Sequence, residues 1–426
     1  MLDIKFVREH QDVVAQAMKN RNGSWDSDAF NELDESRRSF ISEEEGLQAR
    51  RNAASKEIGR LMREGKNEEA EAAKESVRVI NEKIAEASAK RDEAERALTE
   101  LLSHVPNLPS DTTPVGKDET ENPEIRRWGT PTEFDFECKA HWDLGPELGI
   151  LDFERGVKLA GTRFVLLGGL GARLERALIN FMIDTHISRG YKEWWPPVMA
   201  NAATLFGTGQ LPKFEDDLFK TREGMYLIPT AEVQLTNIHA QEVLDASDLP
   251  LKYCAFTPCF REEAGSAGRD TRGLIRVHQF DKVEMVKFAT PEDGFNQLEL
   301  MTADAENILK LLGLPHRVIS LCTGDLGFSA AKTYDLEVWL PSYDGYKEIS
   351  SCSCCTDFQA RRADIKYRDA ASFKGTRYAY TLNGSGLAVG RTMAAVIENY
   401  QQPDGSVKVP DVLVPYMGGV ECIKPE

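Results

Sequence analysis

The sequence has none of the features of a membrane or secreted protein. No stretch of its 426 residues approaches the ~18 consecutive apolar residues that a transmembrane helix needs. Residues Met1–Lys5 are not a basic region followed by an apolar run, so no secretory signal is visible. The eight cysteines are scattered along the chain, which is typical of reduced thiols in a cytoplasmic protein.

An excess of positive charge is also missing. Lys and Arg number 52 against 69 Asp and Glu, which gives a formal net charge of −17. Domains that bind nucleic acid through general basicity have the opposite balance. The composition therefore argues against such a protein, although a whole-chain sum does not show where the basic residues lie.

Familiar metal and nucleotide motifs are scarce as well. The sequence contains no Gly-x-x-x-x-Gly-Lys-Ser/Thr loop and no His-Glu-x-x-His helix. Cys352, Cys354 and Cys355 lie close together but lack a second Cys or His pair at finger spacing, so they indicate buried thiols, with zinc as the alternative. The glycine run Gly384–Gly390 resembles a dinucleotide-binding turn, but no second parallel strand follows it, so a nicotinamide or flavin site is the weaker interpretation.

The first 105 residues contain no proline and many Ala, Glu, Lys and Arg, which is helix-forming composition. We expect a short opening helix over Ile4–Asn20 that buries Phe6, Val13, Val14 and Met18. A long helix over about Asp28–Glu64 follows, and a second one begins after a break at residues 64–67.

Both long helices carry apolar residues at heptad spacing, which predicts an antiparallel coiled-coil hairpin. The seam positions are Leu33, Phe40, Leu47, Ala54 and Leu61, then Val77, Ile80, Ile84, Ala87, Ala94, Leu98 and Leu101, with Arg91 interrupting the series. At ~1.5 Å per residue each helix is roughly 50 Å long and must project. Its mixed-charge outer faces fit either a solvated, ion-paired surface or an arm that grips an extended polyanion.

The rest of the chain predicts an α+β fold, an antiparallel sheet flanked by helices. We divide the chain into the arm (1–105), an irregular, exposed, proline-rich linker (106–124) and a globular domain (125–426). Strand-like runs are Arg163–Leu167, Met225–Ile228, Tyr253–Phe260, Leu274–Phe288, Thr333–Leu340, Tyr346–Ser350 and Arg377–Asn383; helix-like runs are Ala172–Arg189, Ala231–Leu244, Pro291–Leu312 and Leu387–Gln402.

The segment Phe256–Lys287 is the most informative for chemistry. Read as a hairpin, it places Thr257, Cys259, Arg261 and Glu263 on one face of its first strand and Arg276, His278, Phe280, Lys282 and Glu284 on one face of its second. An exposed sheet face with cross-strand ion pairs is one interpretation. A nucleotide site is the other, with an arginine for phosphate, a phenylalanine for the base and carboxylates for amines or ribose.

Two smaller groups add to this pattern. Glu337, Glu348 and Ser351 lie on two strands, and paired oxygen ligands suit Mg²⁺ held jointly with substrate phosphates. Arg391 follows the glycine-containing segment Asn383–Gly390 on a helix, from which its side chain could reach a terminal phosphate.

Together these segments resemble bacterial-type seryl-tRNA synthetase, a class II aminoacyl-tRNA synthetase. The resemblance covers the whole chain and rests on Thr230-Ala231-Glu232, Phe260–Glu263 with Arg272–Phe280, Asn383–Arg391 and the helical arm. It implies an ATP-dependent ligase that activates L-serine to seryl-adenylate, releases pyrophosphate, and transfers serine to the 3′ end of the serine tRNA.

The resemblance also implies roles for individual residues. The catalytic residues are Arg261, on the α-phosphate and the serine carboxylate, and Arg391, on the γ-phosphate. Serine is expected to meet Thr230, Ala231, Glu232, Arg261, Glu284, Asn383 and Ser385; ATP is expected to meet Arg261, Glu262, Glu263, Val277, Phe280, Glu348, Ile349, Ser350, Ser351 and Arg391. Glu348 and Ser351 would hold Mg²⁺, with Glu337 a weaker candidate, and no zinc is expected.

The implied partners are the serine tRNA, bound by the arm, and a second copy of the chain. The dimer interface would be the helix from Gly171 onward, ending in Trp194–Pro197. Serylation of the selenocysteine tRNA is a family possibility. Two competing hypotheses are a related ligase that loads an amino acid onto a carrier protein, which should lack the arm, and a non-enzymatic coiled-coil protein with a degenerate nucleotide fold.

Overall fold

The computed structural model describes residues 1–264 and 272–425 and divides into two compact units. One comprises residues 3–19 and 24–105; the other comprises 1–2, 20–23 and the chain from 106 onward. Residues 265–271, which join the two strands of the hairpin predicted over Phe256–Lys287, lie outside the described residues. No helix in the described part of the chain combines the length and apolarity needed to cross a bilayer.

The helical unit contains α1 (Ile4–Glu9), α2 (Gln11–Asn20), α3 (Ser27–Arg63) and α4 (Asn67–Ser103). The long hairpin is as predicted, with Gly65 at φ +73° in the turn. The single opening helix was wrong, because His10 leaves the helical region at φ −138° and ψ 45°. The break changes the buried face, so Val7, Val14, Ala17 and Met18 are buried while Phe6 and Val13 remain exposed.

Arg91 interrupts the apolar seam because it has a partner there. Its Nη1 lies 2.5 Å from Oε2 of Glu44, which occupies a seam position of α3 and is only 12% exposed. Gln48 Nε2 donates to the other Glu44 oxygen over 3.0 Å. A cross-hairpin ion pair therefore replaces one apolar layer.

The second unit has helices α5 (His141–Glu147), α6 (Phe153–Ala160), α7 (Gly169–Ser188), α8 (Ala202–Thr208), α9 (Glu232–Asn237), α10 (Gly294–Leu311), α11 (Phe358–Ala363) and α12 (Val389–Asn399). Its strands are β1 (Glu124–Trp128), β2 (Leu151–Asp152), β3 (Leu166–Leu167), β4 (Lys192–Glu193), β5 (Met199–Ala200), β6 (Tyr226–Leu227), β7 (Val243–Asp245), β8 (Leu251–Phe260), β9 (Gln279–Ala289), β10 (His316–Ser320), β11 (Lys332–Leu340), β12 (Gly345–Cys354), β13 (Lys366–Arg368), β14 (Arg377–Tyr378), β15 (Tyr380–Ala388), β16 (Val407–Lys408) and β17 (Cys422–Ile423).

The main sheet of the described residues has the order β1-β10-β11-β12-β15-β9-β8-β4 and is antiparallel except for the β4–β8 edge pair. Alternation along β9 separates two cores. Val283 and Met285 belong to the core that includes α7, α10 and α12, whereas Val286 and Phe288 belong to the core beneath α9 and α11. Phe280, Lys282 and Glu284 share the face of Val286 and Phe288, so this second face carries the polar side chains.

Several predicted elements have different bounds. The return strand begins at Gln279 rather than at Leu274, because the preceding backbone donors bond elsewhere: Leu274 N–H to His141 and His278 N–H to the Arg163 carbonyl. The helix predicted over Ala231–Leu244 ends at Asn237, since Val243–Asp245 pairs with β13 instead. Strands β1 and β10 were not predicted.

The proline-rich segment 106–124 contains a short 3₁₀ helix at Glu119–Glu121 and reaches β1 at Glu124, and it is not uniformly exposed. Asn107 is 4% exposed and its Nδ2 donates to the carbonyls of Ser329 and Cys355, both over 2.9 Å. Thr113 is 6% exposed and its hydroxyl donates to the Ala331 carbonyl. The segment is therefore tied to its own unit by buried side-chain hydrogen bonds.

The Arg91–Glu44 pair gives a test of the seam. Arg91→Leu should leave the poorly exposed Glu44 carboxylate without its cation and speed amide exchange in peptides around both residues, severalfold by mass spectrometry. The double variant Glu44→Leu/Arg91→Leu restores a continuous apolar seam and should exchange more slowly than the parent. Slower exchange in Arg91→Leu alone would contradict a stabilising pair.

Candidate active site

Two adjoining cavities open on the polar face of the main sheet. The empty space is about 1080 Å³ in cavity A and about 870 Å³ in cavity B, in each case including the open solvent at the mouth. Arg261, Lys282, Glu348 and Ser385 line both. A ligand in one cavity would therefore meet a ligand in the other at these four side chains.

Arg261 lies just past the end of β8, at the junction. Its guanidinium carbon is 5.2 Å from the centroid of the Phe280 ring, and its Nε donates to the Pro229 carbonyl over 3.4 Å. Neither contact uses the terminal nitrogens of the fork. The arrangement leaves a planar, permanently charged group able to bind an oxyanion between the two cavities.

Cavity A combines an aromatic ring with cations. Phe280 forms part of its wall together with Val277, Ile349 and Arg391. Glu263, at φ +51°, accepts a 2.7 Å hydrogen bond from Arg276 Nη1. Arg391 stands in the first turn of α12 and is held by two carbonyls, Ile275 over 3.2 Å and Glu348 over 2.7 Å. An aromatic platform beside arginines suits a nucleotide.

Cavity B is lined by carboxylates. Glu284 pairs with Lys282 at 2.5 Å and accepts from the Thr230 hydroxyl over 3.1 Å. Glu232 accepts from Gln359 Nε2 over 2.7 Å, and burial together with the charge of Glu284 raises its pKa to about 7. Two neighbouring carboxylates in a confined space suit a small cationic ligand such as an ammonium group.

Glu348 and Ser351 lie on β12 opposite β11, where Glu337 pairs with Glu348 and Asp335 with Ser351. Glu337 lies 2.5 Å from Arg317 Nε and lines neither cavity, so its role as a ligand is disfavoured. Burial and the charge of Glu348 hold the pKa of Asp335 well above its usual range, and its Oδ1 has no partner within the described residues.

Most side chains selected from the sequence line a cavity. Glu263, Val277, Phe280, Ile349 and Arg391 line cavity A; Thr230, Glu232, Glu284, Ser351 and Asn383 line cavity B. Three do not. Ala231 is buried before α9, Glu262 is exposed, and Ser350 is buried with its hydroxyl donating to the Ser385 carbonyl.

The glycine-rich segment lies inside a strand, not in a turn. β15 continues through Gly384 and Gly386 to Ala388, and α12 starts only at Val389. A Cβ on Gly384 would lie 2.7 Å from Cys352 Sγ, and one on Gly386 would collide with His186. These glycines allow close packing behind the site, which removes the resemblance to a dinucleotide turn.

Sequence reasoning missed two acidic residues of cavity A. Glu175, on α7, is 7% exposed, and its Oε2 has no partner among the described residues. Burial, with a smaller contribution from Asp281, raises its pKa to about 8; burial raises the pKa of Asp281 to about 6. The sequence signal that could have identified Glu175 is its position as a charged residue on an otherwise apolar helix face.

The cysteine cluster consists of buried free thiols, as predicted. Burial raises the pKa of Cys352 and Cys354 to about 12, so both remain protonated. Cys355 lines cavity B. Among the residues described, no three His, Cys, Asp or Glu side chains come together as metal ligands would.

Comparison with known proteins agrees with this geometry. Residues 1–109 match the family model of the seryl-tRNA synthetase N-terminal domain, and residues 213–400 match that of the class II tRNA synthetase core domain (G, H, P, S and T). The serine–tRNA ligase of Thermodesulfovibrio yellowstonii is 54% identical over 98% of this chain and 99% of its own length. The chain belongs to the seryl-tRNA synthetase family.

Solved structures of the family share the fold. Seryl-tRNA synthetase from Pyrococcus horikoshii, complexed with ATP, is 37% identical with a TM-score of 0.90 over 100% of both chains. The cytoplasmic serine–tRNA ligase of Naegleria fowleri, in complex with AMP, is 31% identical with a TM-score of 0.85 over 100% of this chain and 99% of its own. The fold class and the class II synthetase resemblance inferred from the sequence are confirmed, and the chain is an aminoacyl-tRNA synthetase, the class of serine–tRNA ligases.

Glu175 gives this seryl-tRNA synthetase a testable pH dependence. A carboxyl whose pKa is about 8 in the folded state and 4.5 when exposed keeps its proton on folding, so it lowers stability progressively as pH rises from 4.5 to 8. Glu175→Gln should match the parent near pH 5 and melt about 2–5 °C higher at pH 8 by calorimetry.

The matched control is Glu154→Gln on α6, an exposed residue, which should leave the melting temperature unchanged at both pH values. A constant difference between Glu175→Gln and the parent across this range would mean that Glu175 is ionised in the folded protein.

Proposed function

We propose that this chain joins L-serine to its tRNA in two steps at the two cavities, with ATP in cavity A and serine in cavity B. A serine carboxylate oxygen attacks the α-phosphorus of ATP, the bond to the β-phosphate breaks, and pyrophosphate leaves. The terminal hydroxyl of the tRNA then attacks the seryl carbonyl carbon, the bond between that carbon and the phosphate oxygen breaks, and AMP and the hydroxyl proton are released. The position of Arg261 on the wall of both cavities is the observation that carries the proposal.

Arg261 would bind the two reacting groups at once. Both the α-phosphate and the serine carboxylate are oxyanions, and the guanidinium fork can donate to each. Bringing two anions together is costly unless their charge is neutralised where they meet, so positioning and electrostatics provide most of the rate enhancement. The Phe280 ring beneath the guanidinium is the expected platform for adenine, with Glu263 accepting from its amino group.

Arg391 would bind the γ-phosphate. Its Nε donates to the Ile275 carbonyl and its Nη1 to the Glu348 carbonyl, and these two bonds fix the orientation of the guanidinium. Because those partners belong to different segments, the position of Arg391 depends on both walls of cavity A. The other proposed ATP contacts are Val277, Ile349, Ser350, Ser351 and Glu262. At Glu262 and Ser350 the main chain would make the contact.

Cavity B would select serine through its carboxylates. Glu232 and Glu284 can receive the ammonium group, and Thr230, Asn383 and Ser385 can receive the hydroxyl. A site that pairs a substrate hydroxyl rejects the analogue lacking it, because its own polar groups are then buried without partners. Alanine should therefore be a far poorer substrate than serine.

Glu348 and Ser351 are the residues proposed to hold Mg²⁺. A carboxylate, a hydroxyl and the unpartnered Oδ1 of Asp335 nearby are hard oxygen donors of the kind that Mg²⁺ prefers. When bound, the ion would neutralise charge on the phosphates of ATP. No zinc is expected to take part.

The helical hairpin is the proposed contact for the serine tRNA, and for the selenocysteine tRNA where a cell has one. We also infer a homodimer that works in the cytoplasm. The apolar side chain of Trp195, which is 80% exposed and lies within the predicted interface, supports the dimer.

The first test is amino-acid-dependent exchange between ATP and pyrophosphate. Serine should support exchange with a kcat/KM at least about a thousandfold above that of alanine. Arg261→Lys keeps the charge but loses the fork, and should lower kcat about a hundredfold, whereas Arg222→Lys, at an exposed position outside both cavities, should not change it. Equal exchange with glycine or alanine would overturn the serine assignment.

A second test shortens the arm without disturbing its seam. Deleting residues 47–60 and 71–84 removes two heptads from each helix; Leu61 then takes the place of Leu47, and Ala70 that of Ile84. This deletion retains Arg21, whose guanidinium donates to the carbonyls of Asn107, Leu326, Gly327 and Ala330. Serine-dependent exchange between ATP and pyrophosphate should persist. Charging of the tRNA should fall at least about tenfold, because contacts between the arm and the phosphate backbone would position the tRNA. Full charging by the shortened chain would exclude the arm as the tRNA contact.

A further inference from the structure

The β8–β9 ladder ends in an unusual way at the residue that both cavities share. Phe260 and Gln279 are its last regular pair. Beyond them, Arg261 N–H donates to the His278 carbonyl over 2.9 Å. In an antiparallel pair the His278 N–H would return a hydrogen bond to the Arg261 carbonyl. Here it donates instead to the carbonyl of Arg163 over 3.1 Å.

The imidazole of His278 provides the missing donor. Its Nδ1 lies 2.9 Å from the Arg261 carbonyl oxygen. Because a carbonyl only accepts, Nδ1 must carry a proton, whether the ring is neutral or charged. Both main-chain polar groups of Arg261 are therefore bonded by His278, one through its backbone and one through its side chain.

The ring is itself held in place by aromatic neighbours. Phe164 lies 5.5 Å from the imidazole centroid at a tilted angle, and Phe219 lies 6.2 Å away in an edge-on arrangement. These two rings belong to segments that are well separated along the chain. The imidazole thus connects the Arg261 backbone to the surrounding structure.

We propose that His278 is a positioning residue for Arg261, an inference that rests on the proposed function. The Arg261 side chain has one long hydrogen bond, to Pro229, and one ring contact, so its place between the cavities is set mainly by its backbone. Without the imidazole the Arg261 carbonyl loses its partner and the end of β8 can move. Arg261 faces both substrates, so the loss should reduce the rate of their reaction more than the binding of either.

The test compares His278→Asn, His278→Gln and His278→Ala in serine-dependent ATP–pyrophosphate exchange. The Asn amide nitrogen can occupy the place of Nδ1, whereas the Gln amide reaches toward that of Nε2. His278→Ala and His278→Gln should lower kcat about ten- to a hundredfold with each KM changed less than about threefold. His278→Asn should retain kcat within about threefold of the parent, because the donor is restored.

A melting curve for each variant separates folding from positioning. A fall in kcat in His278→Gln but not in His278→Asn, at similar melting temperatures, supports the proposal. Equal kcat in these two variants, or a parent-like kcat in His278→Ala, would overturn it. An inactive parent would instead refute the proposed function, and unchanged variants of an active parent would refute only the role of His278.

Discussion

The register between β8 and β9 is the constraint on which both cavities depend. Because side chains alternate along a strand, the pairing Ala255–Glu284 and Cys259–Phe280 sets which residues of β9 face the cavities. A shift of one residue would direct Phe280, Lys282 and Glu284 toward the core and turn the apolar Val283 and Met285 away from it. The same face carries Val286 and Phe288 beneath α9 and α11, so burial of that apolar half holds the polar half in register.

The electrostatics of the two cavities follow from this layout. Glu284 is 2% exposed but has both Lys282 and Thr230 as partners. Glu232 is hydrogen-bonded to the neutral side chains of Gln359 and Asn383, and burial together with the charge of Glu284 raises its pKa to about 7. Because Glu284 is paired with a cation and Glu232 with neutral groups, part of the negative charge in cavity B is not neutralised. A cationic ligand would neutralise this charge. An amino group can therefore gain binding affinity from carboxylates whose burial destabilises the empty protein.

Chemistry was easier to predict than geometry. Arg261, Phe280, Glu348 and Arg391 could be selected from their residue types and spacing, and they line cavity A. The return strand could not be bounded from its apolar pattern, because Ile275 and Val277 are buried without joining the ladder. Glu175 and Asp281 were missed for a related reason: their unusual pKa values come from burial between α7 and β9, and burial at that contact depends on tertiary packing rather than on local pattern.

The helical arm shows why a whole-chain charge says little about partners. Several of its exposed basic residues have acidic partners one turn away, such as Glu57 and Glu64 for Arg60 and Glu75 and Glu82 for Arg78. Exposed pairs of this kind contribute little to stability, so a polyanion can replace the carboxylates at small cost while the helix persists through its seam. A net charge of −17 is compatible with a nucleic-acid partner. The net charge is a sum over the whole chain, whereas binding depends on which residues the exposed helix faces present.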